Sequence, residues 1–253
     1  MGEIDYRKVF QNDNASAYDE LTGSKHIRLI YELEKEVLVH IFKEAGSSDK
    51  DLMDFACGTG RWTRFIEEYF SSSIGVDISG QMIELAKTKC RRSKLVVTDI
   101  TSDSVDQGLI GRQFDVITTF RFFKNAQEQL RRSALGALRD YLKDDGVMIF
   151  DVHLNSWSFM GLLARLISVL GLKKILKTGE LTVRTMSLGD VKRMFADGGF
   201  EIVDYWGMGV LPGRSNYTLL PWRLLRRLEG WFTNKKVFRG ISYNLLVLAR
   251  KKY

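Results

Sequence analysis

A glycine-rich turn and two acids are the residues from which binding chemistry can first be inferred. Cys57-Gly58-Thr59-Gly60 follows the apolar stretch 51–56, and a helix-like segment begins directly after it. Asp77 and Asp99 end two further short apolar runs. An acid at the end of a second strand can accept hydrogen bonds from both hydroxyls of a ribose, and one at the end of a third can accept from the exocyclic amine of adenine. The pattern predicts an adenosine ligand whose tail lies over the turn.

The tail of this ligand is not expected to be a pyrophosphate or a triphosphate. A dinucleotide-binding turn has a third glycine for close packing of helix on strand, and Trp62 and Thr63 stand in that region here. The Gly-Lys-Ser/Thr sequence of a triphosphate-binding loop does not occur in the chain. The alternative is a tight strand-to-helix connection that holds no ligand.

Length and composition indicate one globular domain with insertions. The chain has 253 residues, of which 45% are hydrophobic and 27% charged, with only two prolines. Its two cysteines, Cys57 and Cys90, offer no disulfide framework and indicate a reducing compartment. The first residues lack the apolar core of a signal peptide. A cytoplasmic location is therefore expected, with peripheral contact to a membrane as an alternative.

The net charge of +7 is unevenly placed along the chain. Residues 208–253 hold ten Lys or Arg and one acid, Glu229, whereas the remaining residues are nearly balanced. A solvated face would explain this excess, and so would contact with an anionic substrate or surface.

Short apolar runs alternate with helical patterns over most of the chain. Predicted strands are 51–56, 73–77, 94–99, 114–119, 145–152, 200–206 and 243–250, and predicted helices are 25–45, 60–70, 79–91, 125–142 and 187–198. Two segments, 154–180 and 208–240, interrupt the alternation. Such a pattern predicts an α/β fold with a parallel sheet, helices on both faces and ligands at the carboxyl ends of the strands.

Five motifs, in this order and spacing, resemble the class I S-adenosylmethionine-dependent methyltransferases. They are Asp54-Phe-Ala-Cys-Gly-Thr-Gly60, Gly75-Val-Asp77-Ile-Ser, Thr98-Asp99-Ile, Phe114-Asp-Val-Ile-Thr-Thr-Phe120 and Asp145-Gly-Val-Met-Ile-Phe150. The resemblance implies S-adenosyl-L-methionine as cofactor. It also implies a Rossmann-like, doubly wound sheet of seven strands, mostly parallel with an antiparallel last strand. Residues 1–253 would form one such domain, with 1–48 as a helical cap.

The resemblance also carries cofactor-binding roles to single positions. For the methionine part of the cofactor, Gly58 and Gly60 would lie alongside it, Asp54 would organise the turn and Phe120 would lie near the methionine moiety. For the adenosine part, Asp77 would bind the ribose, Met82 would pack on the adenine, Asp99 would accept from the adenine amine and Ile100 would lie beside the ring. Tyr18 would help to cover the cofactor. Met82 and Tyr18 could equally be core residues.

Methyl transfer to a hydroxyl is helped by a base that removes the hydroxyl proton. His153 follows the predicted strand 145–152 on the ligand side of the sheet and is the candidate base, with a hydrogen-bonded structural histidine as the alternative. Arg121 follows strand 114–119 and would either orient an acidic acceptor or pair with a neighbouring carboxylate.

The motifs also narrow the class of methyl acceptor. Thr119-Phe-Arg-Phe-Phe replaces the Asn/Asp-Pro-Pro-aromatic element of methyltransferases that act on planar amino groups, and there is no paired Asp/Asn set for a metal-dependent catechol site. The acceptor is therefore expected to be a small molecule, a sugar or a lipid, most often methylated on oxygen. Two alternatives are an RNA methyltransferase or RNA-binding relative that uses the basic tail, which is less favoured, and a non-catalytic cofactor-binding subunit.

The two insertions each contain an amphipathic helical pattern. In 158–172 the apolar residues fall on one face, and in 219–232 an apolar stripe lies beside Arg223, Arg226 and Arg227. The expected arrangement is a lid over the acceptor pocket, with these arginines rimming the entrance for an anionic acceptor. A dimer surface and a basic amphipathic surface on anionic lipid are the alternatives.

Overall fold

A computed structural model describes residues 24–102, 104–153, 155–169, 185–211, 213–214, 217–218 and 220–252. Seven strands form one sheet: β1 Asp51–Phe55, β2 Ser72–Asp77, β3 Lys94–Val97, β4 Phe114–Thr119, β5 Leu142–His153, β6 Phe200–Met208 and β9 Asn244–Lys251. Their order across the sheet is β3-β2-β1-β4-β5-β9-β6, and a separate hairpin pairs β7 Gly213–Arg214 with β8 Tyr217–Thr218. The first five strands of the sheet are parallel, whereas β9 runs antiparallel to both β5 and β6. This confirms the predicted Rossmann-like sheet with an antiparallel last strand.

Seven α-helices are described around the sheet. They are α1 Lys25–Ala45, α2 Thr63–Ile66, α3 Gly80–Lys89, α4 Glu128–Tyr141, α5 Phe159–Val169, α6 Leu188–Asp197 and α7 Trp222–Thr233, with short 3-10 turns at Ser47–Asp49 and Lys236–Ile241. Ser24, Ser79 and Ser187 cap α1, α3 and α6 by accepting a backbone N–H of the first turn. The predicted N-terminal cap 1–48 is described only from Ser24 onward, so Tyr18 lies outside the described residues.

Alternate residues of the central strands enter two separate cores. Met53, Ile117 and Met148 pack with α4 and α6 on one face of the sheet. Their neighbours Leu52 and Val116 pack with α1 and α7 on the other. Because both faces are covered, the strands are apolar on both sides, which is typical of a parallel sheet between helices.

Some boundaries differ from those predicted. The segment 60–70 is α-helical only over Thr63–Ile66. Gly60 holds a positive φ of 73°, so it belongs to the turn and the helix begins after it. Strand β5 starts at Leu142, earlier than predicted, with a register shift against β4 between Phe114 and Val116. Insertion 208–240 contains the β7–β8 hairpin as well as the expected helix.

Candidate functional site

A cavity of about 250 Å³ opens where the carboxyl ends of β1, β2, β4 and β5 meet. Its lining includes Ile27 of α1 and residues of each of these strand ends, with Thr98 and Asp99 from the segment after β3. Of the residues predicted to bind the cofactor, those that line it are Asp54, Gly58, Asp77, Met82, Asp99 and Phe120. The fold therefore places six of the nine residues predicted to bind the cofactor around one cavity.

Asp77 anchors the glycine turn from the end of β2. One carboxylate oxygen accepts the backbone N–H of Gly58 at 2.8 Å, and the other accepts that of Ser79 at 2.9 Å. Burial raises the pKa of this carboxyl, while the two N–H groups lower it. Each carboxylate oxygen has a second lone-pair direction, so Asp77 can still accept from a ligand hydroxyl in the cavity.

The two glycines of the turn have different surroundings. Both hold a positive φ, 54° at Gly58 and 73° at Gly60. A Cβ on Gly58 would stand in open space, and Gly58 lines the cavity. A Cβ on Gly60 would lie 2.8 Å from both Ala86 Cβ and Cys90 Sγ, so Gly60 permits close packing of the turn on α3. The structure thus places Gly58 beside the ligand space and gives Gly60 a packing contact with α3.

Asp54 is buried at the end of β1 with both carboxylate oxygens in hydrogen bonds. The hydroxyl of Thr63 donates at 2.6 Å and that of Thr118 at 2.8 Å, which joins β1 to α2 and β4. Burial raises the pKa of Asp54 to about 6, against the lowering by these two hydroxyls. Asp54 therefore ties the start of α2, just after the glycine turn, to β1 and β4 through two threonines.

The remaining predicted cofactor residues form the sides of the cavity, with one exception. Met82 is buried on α3, and Phe120 stacks on Trp62 with ring centroids 4.2 Å apart. Asp99 accepts both the N–H and the hydroxyl of Thr101, at 2.9 and 2.6 Å. Ile100 instead packs in the core that contains Phe114 and lines a second pocket.

Arg121 lies at the centre of a polar network on the β5 side of the cavity. Its guanidinium pairs with Asp151 of β5 and, at 3.5 Å, with Glu34 of α1, and its backbone N–H donates to Asp151. Asn244 of β9 contacts both Arg121 and Glu34. Of the two roles left open for Arg121, these contacts match the pairing with neighbouring carboxylates.

Backbone geometry at Arg121 indicates that this position is held by its surroundings. Its φ is 64°, in the left-handed region that side chains with a Cβ rarely adopt. The N–H bond to Asp151 and the bond from Asn125 Nδ2 to the Arg121 carbonyl, at 2.6 Å, fix it there. Such strain is often found at functional sites.

Contacts of His153 define its tautomer. Nδ1 lies 2.9 Å from an Arg121 guanidinium nitrogen, which can only donate, so Nδ1 accepts. Nε2 then carries the proton and donates to the Tyr243 hydroxyl at 3.0 Å. Burial, reinforced by the cation of Arg121, holds the pKa of His153 well below its usual value. His153 lines the cavity as a neutral, fully hydrogen-bonded ring.

Glu34, Asp151 and Asn244 were not identified from the sequence, although one signal was present. Glu34 interrupts the buried stripe of α1 between Leu33 and Val37, and it is itself buried. Burial raises its pKa to about 7, against the lowering effect of Arg121. A carboxyl at an apolar helix position indicates a buried partner, but the partner residues lie far away in the sequence.

The three arginines predicted to rim the pocket lie on α7, away from the residues that line the cavity. Arg226 pairs with Glu32 at 3.2 Å and with Glu36, both on α1, and Arg223 and Arg227 are exposed. Among the residues described, none from 208–240 lines the cavity. The stripe of α7 packs only in part, since Leu225 is buried while Leu224 and Trp231 are exposed. These positions differ from the expected lid, because α7 docks on α1 and β6 instead.

Helix α5 also differs from the expectation that its apolar face packs on the domain. The exposed apolar side chains of this region are Trp157, Phe159, Leu162, Leu163, Leu166 and Val169. Gly161 lies on the opposite side, where a Cβ would come within 2.0 Å of the Asn155 carbonyl oxygen. The helix therefore contacts the rest of the domain closely at Gly161. None of the described helices is long and apolar enough to cross a bilayer.

Comparison with known proteins gives a consistent family. A family model described as a methyltransferase domain matches residues 26–205. A Geobacillus protein named as a methyltransferase is 30% identical over 108 residues, which cover 41% of this chain and 42% of the relative. The ubiquinone biosynthesis O-methyltransferase of Methylococcus capsulatus is 23% identical over 173 residues, covering 66% of this chain and 70% of the relative.

A similarity to solved structures extends over the whole fold. The magnesium protoporphyrin IX methyltransferase of Synechocystis, solved with bound S-adenosylhomocysteine, matches with a TM-score of 0.61 at 12% identity, covering 97% of each chain. This similarity supports the fold. The chain spans about half the length of the first three curated relatives that it matches, 51%, 42% and 48%.

Proposed function

Because the chain belongs to the methyltransferase-domain family, we propose that it transfers a methyl group from S-adenosylmethionine to an oxygen of a small-molecule, sugar or lipid-linked acceptor. The observation that carries this proposal is that Gly58, Asp77, Asp99 and His153 all line the same cavity. The similarity to an O-methyltransferase of ubiquinone biosynthesis supports oxygen as the acceptor atom.

The residues at the β1–β3 end of the cavity fit the cofactor. Asp77 retains acceptor capacity for the ribose hydroxyls, and Asp99 lies at the next strand end for the adenine amine. The open side of Gly58 leaves room for the methionine part. When bound, S-adenosylmethionine supplies an electrophilic methyl group on its sulfonium.

The apolar part of the cavity lining fits a partly apolar acceptor. It includes Trp62, Phe120, Phe122 and Leu130, and His153 is a polar group of the same lining. Holding the acceptor oxygen in line with the methyl group and excluding water would supply much of the rate enhancement. In the transfer, the oxygen–carbon bond forms, the sulfur–carbon bond breaks and the hydroxyl proton must leave the acceptor.

We propose His153 Nδ1 as the atom that takes this proton. In the structure Nδ1 accepts from Arg121, so the acceptor hydroxyl would have to replace that contact. Arg121 keeps Asp151 and Glu34 as partners when it yields Nδ1, so the exchange leaves no unpaired cation. The structural alternative for His153 is a ring that only orients Tyr243 and Arg121.

Two substitutions separate these roles. If His153 is the base, both His153→Ala and His153→Gln should lower turnover by about 10²–10⁴-fold, with cofactor affinity nearly unchanged. If it only positions its neighbours, His153→Gln should keep most of the activity. Calorimetry with S-adenosylhomocysteine and urea unfolding on the same variants would reveal a loss of fold.

The acceptor atom can be identified by following the methyl carbon. Incubating the protein with ¹³C-methyl-labelled S-adenosylmethionine and a panel of hydroxyl and amine compounds should give product signals of the O-methyl type in ¹H–¹³C spectra. N-methyl or C-methyl signals alone would contradict the proposal. Asp99→Asn should weaken labelling, whereas Asp197→Asn, an exposed acid on α6, is the matched control.

RNA is a less suitable acceptor for this chain. Four cations of the basic C-terminal part, Arg226, Arg239, Arg250 and Lys251, pair with carboxylates of the chain itself. These four are therefore partly neutralised, which supports a small acceptor over a polyanion.

A further inference from the structure

Exposed apolar side chains form a continuous surface on helix α5 and the turn before it. This apolar patch consists of Trp157, Phe159, Leu162, Leu163, Leu166 and Val169. Within α5 these residues follow a spacing of three or four, which places them on one helical face. Trp157 is 57% exposed, Leu166 55% and Val169 83%. Soluble proteins rarely expose so many large apolar groups together without a binding role.

A second exposed segment adjoins the apolar patch. This basic rim consists of Trp231, Lys235, Lys236, Val237 and Ile241, all exposed. Asn155, just before the patch, connects the two: its Nδ2 donates to the carbonyls of Gly240 at 2.7 Å and Ser242 at 3.0 Å, which flank Ile241. These bonds hold the turn before the patch against the segment that carries the rim.

The exposed charges of these two segments have a single sign. Residues 155–169 contain Arg165 and no acid, and residues 230–243 expose Lys235 and Lys236 and contain no acid. Arg239 is buried and paired with Asp204, so it does not count among the exposed cations. Arg165 lies over the Trp157 ring at 5.6 Å, and Lys235 over the Trp231 ring at 5.5 Å. Tryptophan beside cations on an apolar helix face is typical of elements that lie in a membrane interface.

We propose that the apolar patch and the basic rim dock this protein on the surface of an anionic lipid bilayer. The patch would enter the headgroup region while the lysines face anionic headgroups. The patch begins at Trp157, four residues after His153. Tyr243, whose hydroxyl accepts from His153, also accepts the backbone N–H of Asn155 with its carbonyl oxygen at 2.9 Å. Docking would thus bring the acceptor end of the cavity close to the bilayer. This deepens the proposed function by favouring a lipid-phase acceptor.

Vesicle flotation tests the proposal directly. The full chain is mixed with vesicles of phosphatidylcholine alone or with added phosphatidylglycerol, and it should float with the anionic vesicles. Lys235→Gln/Lys236→Gln should weaken partitioning by about 30-fold, since each lysine near an anionic surface contributes roughly a factor of five. Leu162→Ser/Leu166→Ser should weaken it at least about tenfold through lost apolar burial.

Matched controls keep the test specific. Ile110→Ser/Val203→Ser removes two exposed apolar residues elsewhere, and Arg132→Gln/Arg193→Gln removes two exposed cations. Both should float like the wild type. The proposal is overturned if the wild type ignores anionic vesicles, or if the patch variants still float with them. It is also overturned if Leu162→Ser/Leu166→Ser converts a dimer to a monomer, because the surface would then join two copies.

Measuring cofactor affinity distinguishes a failure of the docking proposal from a failure of the proposed methyltransferase function. Calorimetry with S-adenosylhomocysteine on the same variants should give unchanged affinity, because no patch or rim residue lines the cavity. A chain that floats but does not bind S-adenosylhomocysteine would retain the docking surface and lose the methyltransferase proposal. A chain that binds S-adenosylhomocysteine normally but does not float would retain the methyltransferase proposal and lose the docking surface.

Discussion

At the scale of single residues, Asp77 has two tasks that mutation should reveal together. Its carboxylate holds the N–H groups of Gly58 and Ser79 and lines the cavity. Asp77→Ala should weaken S-adenosylhomocysteine binding by about 10- to 100-fold, since hydrogen bonds to a charged group contribute roughly 1.5–3 kcal/mol. It should also lower the free energy of unfolding, because two backbone amides lose their acceptor. Calorimetry and urea unfolding measure the two effects.

Asp197→Ala, at an exposed position of α6, is the control for Asp77→Ala and should change neither quantity. Asp77→Asn keeps one carbonyl acceptor and should recover part of the stability. Unchanged cofactor affinity in a folded Asp77→Ala protein would contradict the ribose role.

Buried Glu34 should make stability depend on pH. Its pKa rises from 4.5 unfolded to about 7 in the fold, mainly through burial. The folded state therefore holds a proton that the unfolded chain has lost, so stability is full below the unfolded pKa and decreases as pH rises to about 7. The slope contributed by one such proton is at most about 1.4 kcal/mol per pH unit.

Glu34→Gln removes this titration and should flatten the dependence of unfolding free energy on pH. Asp54, with its pKa raised to about 6, contributes a slope of the same sign at lower pH in both proteins. His153 and His26, whose pKa values are lowered by burial, contribute a slope of the opposite sign, also in both proteins. The difference between the two pH curves therefore isolates Glu34, and urea unfolding at several pH values between about 4.5 and 7 gives the comparison. Parallel pH curves for the two proteins would show that Glu34 is already ionised there.

A strand end was sufficient to predict which acids lie near one another. Asp77 and Asp99 end apolar runs and Asp54 lies one residue before the end of β1, and parallel strands bring such ends together around one cavity. Their roles toward the cofactor stay predictions. The Arg121 network was not predicted because its members come from α1, β4, β5 and β9, and only the tertiary fold makes them neighbours. Ile100 follows Asp99 in the sequence but packs in the core with Phe114 and does not line the cavity.

At the scale of elements, the glycine turn and α3 allow a matched pair of substitutions. Gly58→Ala and Gly60→Ala each place a Cβ at a positive φ, costing roughly 1–2 kcal/mol. Only at Gly60 does the Cβ also press on Ala86 and Cys90 of the α3 region, and overpacking costs roughly a further 1–3 kcal/mol. Gly60→Ala should therefore be the less stable variant in urea unfolding.

Cofactor binding should rank the same two variants in a different way. The new Cβ of Gly58→Ala stands in the open space of the cavity, so its loss of S-adenosylhomocysteine affinity should be large relative to its loss of stability. Equal stability of the two variants would show that α3 yields to the added methyl group. Equal affinity of Gly58→Ala and the wild type would place the ligand elsewhere.

The sequence predicted the boundaries of an element where local signals such as helix caps determine them, but it did not predict how the element packs. Helix α1 matches its predicted range because Ser24 caps it and Gly46, with φ 59°, ends it. The packing of α5 and α7 was not predictable, because an amphipathic pattern shows that a face is apolar but not what covers it. Four apolar residues of α5 that suggested a buried lid, Phe159, Leu162, Leu163 and Leu166, are exposed in the fold.

At the scale of the whole molecule, the cavity is a junction of the elements that make up the fold. Ile27 of α1, Met82 of α3 and Leu130 of α4 line it together with four strand ends. A ligand that binds there contacts elements from both cores, so binding should stabilise the domain as one unit and not a single loop.

Linkage sets the size of that stabilisation. S-adenosylhomocysteine at one hundred times its dissociation constant should raise the free energy of unfolding by about 2.7 kcal/mol, because the ligand binds the folded state alone. Thermal unfolding should shift upward as one transition, and native-state hydrogen exchange should slow in α1 as well as around the glycine turn. In Asp77→Ala the same ligand concentration should give a much smaller shift. If exchange slows only at the turn while α1 is unaffected, the ligand does not reach the Ile27 side, and α1 is a wall of the acceptor end alone.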